Sequence, residues 1–167
     1  MAVLQPNQPC PCGSQSKYKK CCAPFIEGFA VIDEPVRLIL CRYVALINRR
    51  TTFLWETFHP FSPVRTHHNQ SFFENEQRAL SKLEYQSLKI LDEKEVRPDE
   101  TRIVHYVTVM DEGVDLSYIE ESQLKHFEGR WYYYDGLRRA SARIGCIPES
   151  VKVGELETLF VFESEKN

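Results

Sequence analysis

Four of the six cysteines fall within thirteen residues, as Cys10-Pro11-Cys12 and then, after eight intervening residues that begin with Gly13, Cys21-Cys22. Thiolates are soft ligands, and four of them close a tetrahedron around zinc at about 2.3 Å with no position left for water. The chemistry implied by Cys10, Cys12, Cys21 and Cys22 is therefore structural metal binding, with zinc as the metal and iron as the alternative. Gly13 lets the chain turn sharply after the first pair, because glycine adopts positive φ cheaply. Four thiolates around a divalent cation leave a charge of about -2, which Lys17, Lys19 and Lys20 are placed to offset. Ordering so short a segment costs about 1 to 2 kcal/mol per residue, against little apolar surface beyond Tyr18 and Phe25. Metal binding, worth roughly 10 to 16 kcal/mol in small zinc modules, offsets that cost. The segment is expected to be disordered without metal, and the rest of the chain to melt independently of it. A thiol-disulfide enzyme would show Cys-x-x-Cys at a helix start, and none is present. Cys41 and Cys146 read as packing residues.

The remainder must position this cluster and supply a core. With 167 residues, 43% of them hydrophobic and a formal net charge of -3, the chain has room for one ordinary domain plus a small appendage. Charge is unevenly spread: residues 1 to 24 hold three lysines and no acid, which leaves 18 basic against 24 acidic residues elsewhere. A basic knob thus precedes an acidic body. Polar and proline residues follow Met1 where a signal peptide would be apolar, and the longest apolar segment, Val36 to Ile47, carries Arg37 and Arg42. These features predict a cytoplasmic protein with no membrane span and no direct sequence-specific nucleic-acid binding.

Helical spacing of Val36, Ile39, Leu40, Tyr43, Val44 and Ile47, after Asp33 as N-cap and Pro35 in the first turn, predicts a core-facing helix to about Arg50. A second helix is expected from Thr52 to His59, where Pro60 ends it, and a third from Glu74 to Glu84. Pro60, Pro63 and the pair His67-His68 mark a loop between them. Strands are expected over Gln86 to Asp92, Arg102 to Met110, Leu116 to Phe127 and Arg130 to Asp135, with turns at Asp111-Glu112-Gly113 and Glu128-Gly129. Helices followed by an antiparallel meander mean an α+β fold. Within residues 146 to 167 only Leu159 to Glu163 suggests a short strand.

Two resemblances add to this reading. Cys10-Pro11-Cys12-Gly13-Ser14 with Lys17-Tyr18-Lys19-Lys20-Cys21-Cys22 resembles the SEC-C motif known from the tail of the SecA translocation ATPase. That resemblance implies zinc binding and docking, through Lys17, Lys19 and Lys20, on a protein or ribosome surface. Arg42-Tyr43, Thr57-Phe58-His59-Pro60, Glu121-Ser122 and Gly129 to Gly136 are similar to the YchJ family of small bacterial proteins. In that family a SEC-C module precedes an NTF2-like (cystatin-like) domain, a cone of helices packed on a curved antiparallel sheet. The implied organisation is a SEC-C zinc-binding module over 1–24, an NTF2-like domain over 25–145 and a C-terminal extension over 146–167.

Such a cone encloses a cavity able to take a small ligand or host an enzyme site. Period-2 alternation places Trp131, Tyr133 and Asp135 on one strand face, with Trp55 and His59 approaching from the helical side. His59 and Asp135 as an acid-base pair would make an enzyme. A histidine before a proline and an aspartate before a glycine, however, commonly satisfy nearby backbone groups. No phosphate loop, nucleophile elbow or dinucleotide fingerprint is present. The leading expectation is a non-enzymatic adaptor, and the alternative an enzyme or small-ligand binder built around His59 and Asp135.

Overall fold

The structure is a computed structural model that describes residues 4–141 and 150–160. Five helices come first: α1 (Ala23–Ile26), α2 (Pro35–Ile47), α3 (Thr51–Glu56), α4 (Pro63–His67) and α5 (Gln70–Ala79). Five strands follow: β1 (Glu84–Arg97), β2 (Glu100–Asp111), β3 (Val114–Asp115), β4 (Tyr118–Phe127) and β5 (Arg130–Ala140). All pair antiparallel in the order β1-β2-β4-β5, with β3 a short return on β2. The expected α+β fold is the one observed.

Several boundaries differ from the sequence expectation, each for a local reason. The first helix is capped at Glu34 rather than Asp33. The second ends at Glu56, because the Thr57 hydroxyl donates to the Phe53 and Leu54 carbonyls and the chain then turns away. The expected loop at Pro63 contains α4, whose Ser62 side chain accepts from the Arg65 amide, with Pro63 in the first turn. Asn69 caps α5 through the Phe72 amide, so that helix starts before Glu74 and ends before Glu84. Glu112-Gly113 and Glu128-Gly129 have positive φ at both residues, the conformation that closes two-residue hairpins.

The sheet is bent by bulges. On β1 the residues Gln86, Leu91 and Val96 stand unpaired between register steps, and on β5 Tyr134 does the same. The concave face presents Ile103, Val107, Val109, Tyr118 and Leu124 to α2 and α3, where Leu38, Ile39, Val44 and Leu54 complete the core. Cys41, on α2, is fully buried in that core as expected of a packing residue; Cys146 lies outside the described residues.

The convex face is covered too. Val151 and Leu156 are buried against Val104 and Ile119. The Val153 amide donates to Asp92 Oδ2 at 3.0 Å, and that of Gly154 to Glu121 Oε2 at 2.8 Å. Thr158–Phe160 forms a turn of 3₁₀-helix where a strand was expected from Leu159; the rest of that expected strand lies outside the described residues. Among the described residues no helix is long and apolar enough to cross a membrane.

Candidate metal centre

The four-cysteine segment is a hairpin stapled to a helical turn. Pro9 and Lys17 form an antiparallel bridge, the Cys10 amide donates to the Ser16 carbonyl at 2.7 Å, and Gly13 takes φ 86° as its turn requires. Tyr18–Lys20 winds as 3₁₀-helix and α1 follows, which presents Cys21 and Cys22 back toward the first pair. All four sulfurs lie within 4.8 Å of one another and all four cysteines are buried. Cys12 Sγ is 3.5 Å from Cys21 Sγ, and Cys21 Sγ is 3.9 Å from Cys22 Sγ. A tetrahedron with sulfur at about 2.3 Å from its centre has edges of about 3.8 Å, so the donor set fits a soft tetrahedral metal ion.

The sulfurs are too close to ionise together unaided. Hydrogen bonding with Cys10, then with Cys22, draws the Cys12 thiol far below the ordinary range. Those bonds push Cys10 up to about 12 through Cys12, and Cys22 well upward through Cys10, Cys12 and Cys41. A divalent cation at the centre removes this mutual repulsion. The Ser14 hydroxyl lies 3.1 Å from Cys21 Sγ, and Arg37 Nη1 donates to the same sulfur at 3.7 Å.

Arg37, from α2, is thus the cation that touches sulfur, a role the sequence reading gave to the lysines. Lys17, Lys19 and Lys20 are exposed on the outer rim, and among the described residues they form no ion pair. Nor is the segment a pendant knob. Tyr18, Cys22, Ala23 and Ile26 share one continuous core with Leu38, Cys41 and Val44, and Asn48 Nδ2 donates to the Tyr18 hydroxyl at 3.4 Å. This shared core argues against the expectation that the body melts independently of the metal segment.

The residues expected to build a pocket separate. Phe58 bridges β5 at Tyr133, the His59 amide donates to the Tyr133 carbonyl at 2.8 Å, and the Tyr133 amide donates to the Thr57 carbonyl at 2.9 Å. Phe58 turns inward against Tyr133 and Phe73, whereas His59 packs among Phe127, Tyr132 and Tyr134 on the opposite side. His59 Nδ1 accepts from the Phe61 amide at 3.1 Å. The bulge at Tyr134 breaks the alternation, so Asp135 pairs with Gln123, one face away from Tyr133, and its Oδ1 accepts from the Gly136 amide at 2.8 Å. Among the described residues no hydrogen bond or ion pair joins His59 to Asp135. A cavity of about 260 Å³ does lie inside the cone, with Tyr133 and Asp135 on its walls; Trp55, His59 and Trp131 are not among them. Trp55 packs edge-to-face on Phe58 and at a tilt on Phe73, and Trp131 packs edge-to-face on His126.

The cavity walls carry charges that the sequence reading missed. Glu120 Oε1 accepts from Tyr133 and from Ser122, each at 2.8 Å, and its Oε2 from Arg138 Nε at 2.9 Å and Nη2 at 2.7 Å. Burial alone would raise this carboxyl, but Arg138, His105 and Ser122 together hold it at about 2. Burial keeps His105 below the usual histidine range, and moves Tyr133 well above the usual phenol. Alternation marks Glu120 as an inward residue between Tyr118 and Ser122, and helical spacing marks Arg42 between Ile39 and Leu46. A charge at an inward position was the available signal.

A sequence model described as the YchJ middle NTF2-like domain matches residues 34–136, and the SEC-C motif matches residues 7–24. The chain belongs to the YchJ family. A UPF0225 protein of Yersinia pestis is 29% identical over 137 residues, covering 80% of this chain and 86% of the relative; a UPF0225 protein of Yersinia pseudotuberculosis matches equally. The solution structure of a SEC-C motif containing protein from Rhodopseudomonas palustris has TM-score 0.66 at 23% identity, covering 77% of this chain and 96% of that one. A crystal structure of a SEC-C motif containing protein from Psychrobacter arcticus has TM-score 0.66 at 16% identity, with coverages of 90% and 94%. These likenesses give the YchJ-family chain its NTF2-like fold, with the cysteine cluster inside the matched SEC-C segment.

Proposed function

We propose that the protein is a cytoplasmic, zinc-binding adaptor whose SEC-C module docks on a protein or ribonucleoprotein surface of acidic character, in the sphere of translocation, chaperones or the ribosome. One observation carries this reading. The sulfurs are buried and mutually closed, so the module offers its surroundings no reactive thiol, and what it presents outward is the exposed basic rim of Lys17, Lys19 and Lys20. Zinc is favoured by four thiolates in a compact tetrahedral set; iron is the alternative for the same donors. Exposed charges act chiefly on encounter and specificity, and their effect is screened within about 10 Å at 0.1 M salt.

The test is capture of ribosomes or of lysate proteins by the wild type beside a Lys17→Glu, Lys19→Glu, Lys20→Glu variant and a Cys12→Ser variant. Both variants lose capture, wild-type capture weakens steeply with salt, and the triple reversal keeps its metal by elemental analysis. Capture unaffected by the reversal overturns the docking role of the rim. An enzyme built on His59 and Asp135 has no support in the geometry, since each side chain is engaged by a neighbouring amide.

A further inference from the structure

The guanidinium of Arg42 lies inside the cone, and among the described residues it has no carboxylate partner. Both of its hydrogen bonds leave from Nη1 and end on neutral oxygens, the Leu54 carbonyl at 2.8 Å and the Thr57 hydroxyl at 2.7 Å. The rings of Phe58 and Tyr133 flank it at 4.4 and 4.5 Å. Arg138, the other cation on the cavity wall, is already matched by Glu120, whose two oxygens accept four hydrogen bonds. Asp135, the other acid on the wall among the described residues, is exposed, faces away from Tyr133 and accepts from the Gly136 amide, so the buried part of the cavity holds one cation, Arg42, with no carboxylate paired to it. Burial lowers Arg42 only to about 10, so it remains charged near neutral pH.

Two further polar atoms on the same walls lack a well-formed partner. Among the described residues the buried Tyr43 hydroxyl has no hydrogen-bond partner, and buried His105 Nδ1 has none of good geometry, its ring meeting the Ile103 backbone. His105 is 5% exposed and Tyr43 3%. Leaving a buried polar group unpaired costs roughly 1 to 3 kcal/mol, and native structures accept that cost rarely, most often where water or a ligand completes the site. The rest of the wall is largely hydrocarbon, from Leu46, Phe73, Leu80, Leu88 and Val107. At about 260 Å³ the cavity is below the range of roughly 300 to 1,000 Å³ that holds drug-sized ligands. A second cavity, of about 350 Å³, shares Leu46, Gln77 and Leu80 with it and places the way in beside α5.

We propose that the cone is a binding site for a small monocarboxylate with an apolar body, its carboxylate held by Arg42 with Tyr43 and His105 and its body among the leucines. A single uncompensated charge matches a monoanion. A phosphate dianion brings more charge than the site neutralises, and no apolar part to fill it. This site is independent of the metal centre and of the docking rim.

The test uses full-length, metal-loaded protein and three probes at millimolar concentration: phenylacetate, its neutral isostere phenylacetamide, and inorganic phosphate. Binding is followed by ligand-observed NMR and by the shift in melting temperature. Phenylacetate is expected to bind at least tenfold more tightly than the other two. Arg42→Met is expected to weaken it by about ten- to a hundredfold, as for loss of a charge-assisted hydrogen bond. Tyr43→Phe removes only an unpaired hydroxyl, so it folds and weakens phenylacetate a few-fold. Leu80→Trp fills the mouth and abolishes binding in a folded protein, which keeps the test decisive if Arg42→Met does not fold. Equal binding of the amide shows an apolar cavity without charge recognition, and overturns the proposal. So does tighter binding of phosphate, or no binding of any probe, which leaves a cavity filled by water only.

Discussion

A single carbon added at Gly136 would stand 2.0 Å from the Tyr133 hydroxyl and 3.1 Å from Glu120 Oε1. The absent side chain is what lets Tyr133 reach Glu120. Gly136→Ala forces the rigid phenol ring aside and leaves a buried carboxylate oxygen short of a donor, a change expected to cost about 1 to 3 kcal/mol. Urea melts of the variant beside the wild type measure it, and an unchanged midpoint shows that the ring yields freely. At this scale the cysteines were fully legible, because a cluster within thirteen residues announces its ligands by spacing alone. Arg37 was not, since its meeting with Cys21 depends on how α2 packs against the hairpin. Arg42 and Glu120 gave a fainter signal, a charge on an inward-facing position, that only a face-by-face reading detects.

Among the elements, the β5 strand shows where pattern reading stops. Its sequence predicts Trp131, Tyr133 and Asp135 on one face, and strict alternation would have delivered them. The bulge at Tyr134 moves Asp135 to the other face and brings Gly136 and Arg138 inward opposite Ser122 and Glu120. No residue type in Tyr132-Tyr133-Tyr134 signals such a step; it is set by the partner strand and by Phe58 pairing along the edge. The helical caps at Ser62 and Asn69, in contrast, are local signals, though the sequence reading passed over both and placed a loop at Pro63 and a helix start at Glu74. The C-terminal segment is the element whose role was least legible, because its buried side chains, Val151 and Leu156, are five positions apart and match neither a strand nor a helix period. Leu156 is fully buried on the convex face, and Leu156→Ala is expected to cost about 2 to 5 kcal/mol. The same melts check it, and a loss under 1 kcal/mol would mean the segment rests on the sheet without supporting it.

For the molecule as a whole, the metal hairpin and the NTF2-like domain share one core, so removing the metal acts on both. A strong chelator is expected to lower the melting temperature of the entire chain, with the far-ultraviolet and tryptophan signals moving together. A body transition that stays put on chelation contradicts the shared core. Acid also weakens the fold, with the sign set by the buried groups. Burial holds His105 below the ordinary histidine value of 6.5, so the unfolded chain binds more protons and stability falls as pH drops below about 6.5. Glu120, at about 2 against 4.5, adds stability above pH 4.5 that is lost as pH falls toward 2. Melts of metal-loaded protein across this range, with His105→Gln flattening the upper part of the slope, test that order. The bulges of β1 bear on a different matter, the capacity of the sheet to grow. One end is sealed, since Ile32, Thr57 and His59 pair with the backbone of β5. The other end is β1, where no strand among the described residues covers the free edge. Gln86, Leu91 and Val96 divide that edge into regular runs of four residues, Ser87 to Ile90 and Asp92 to Glu95. Stacking of chains into a fibril draws on about six or seven consecutive residues in register, so this edge, though open, is cut too short to recruit a copy of itself.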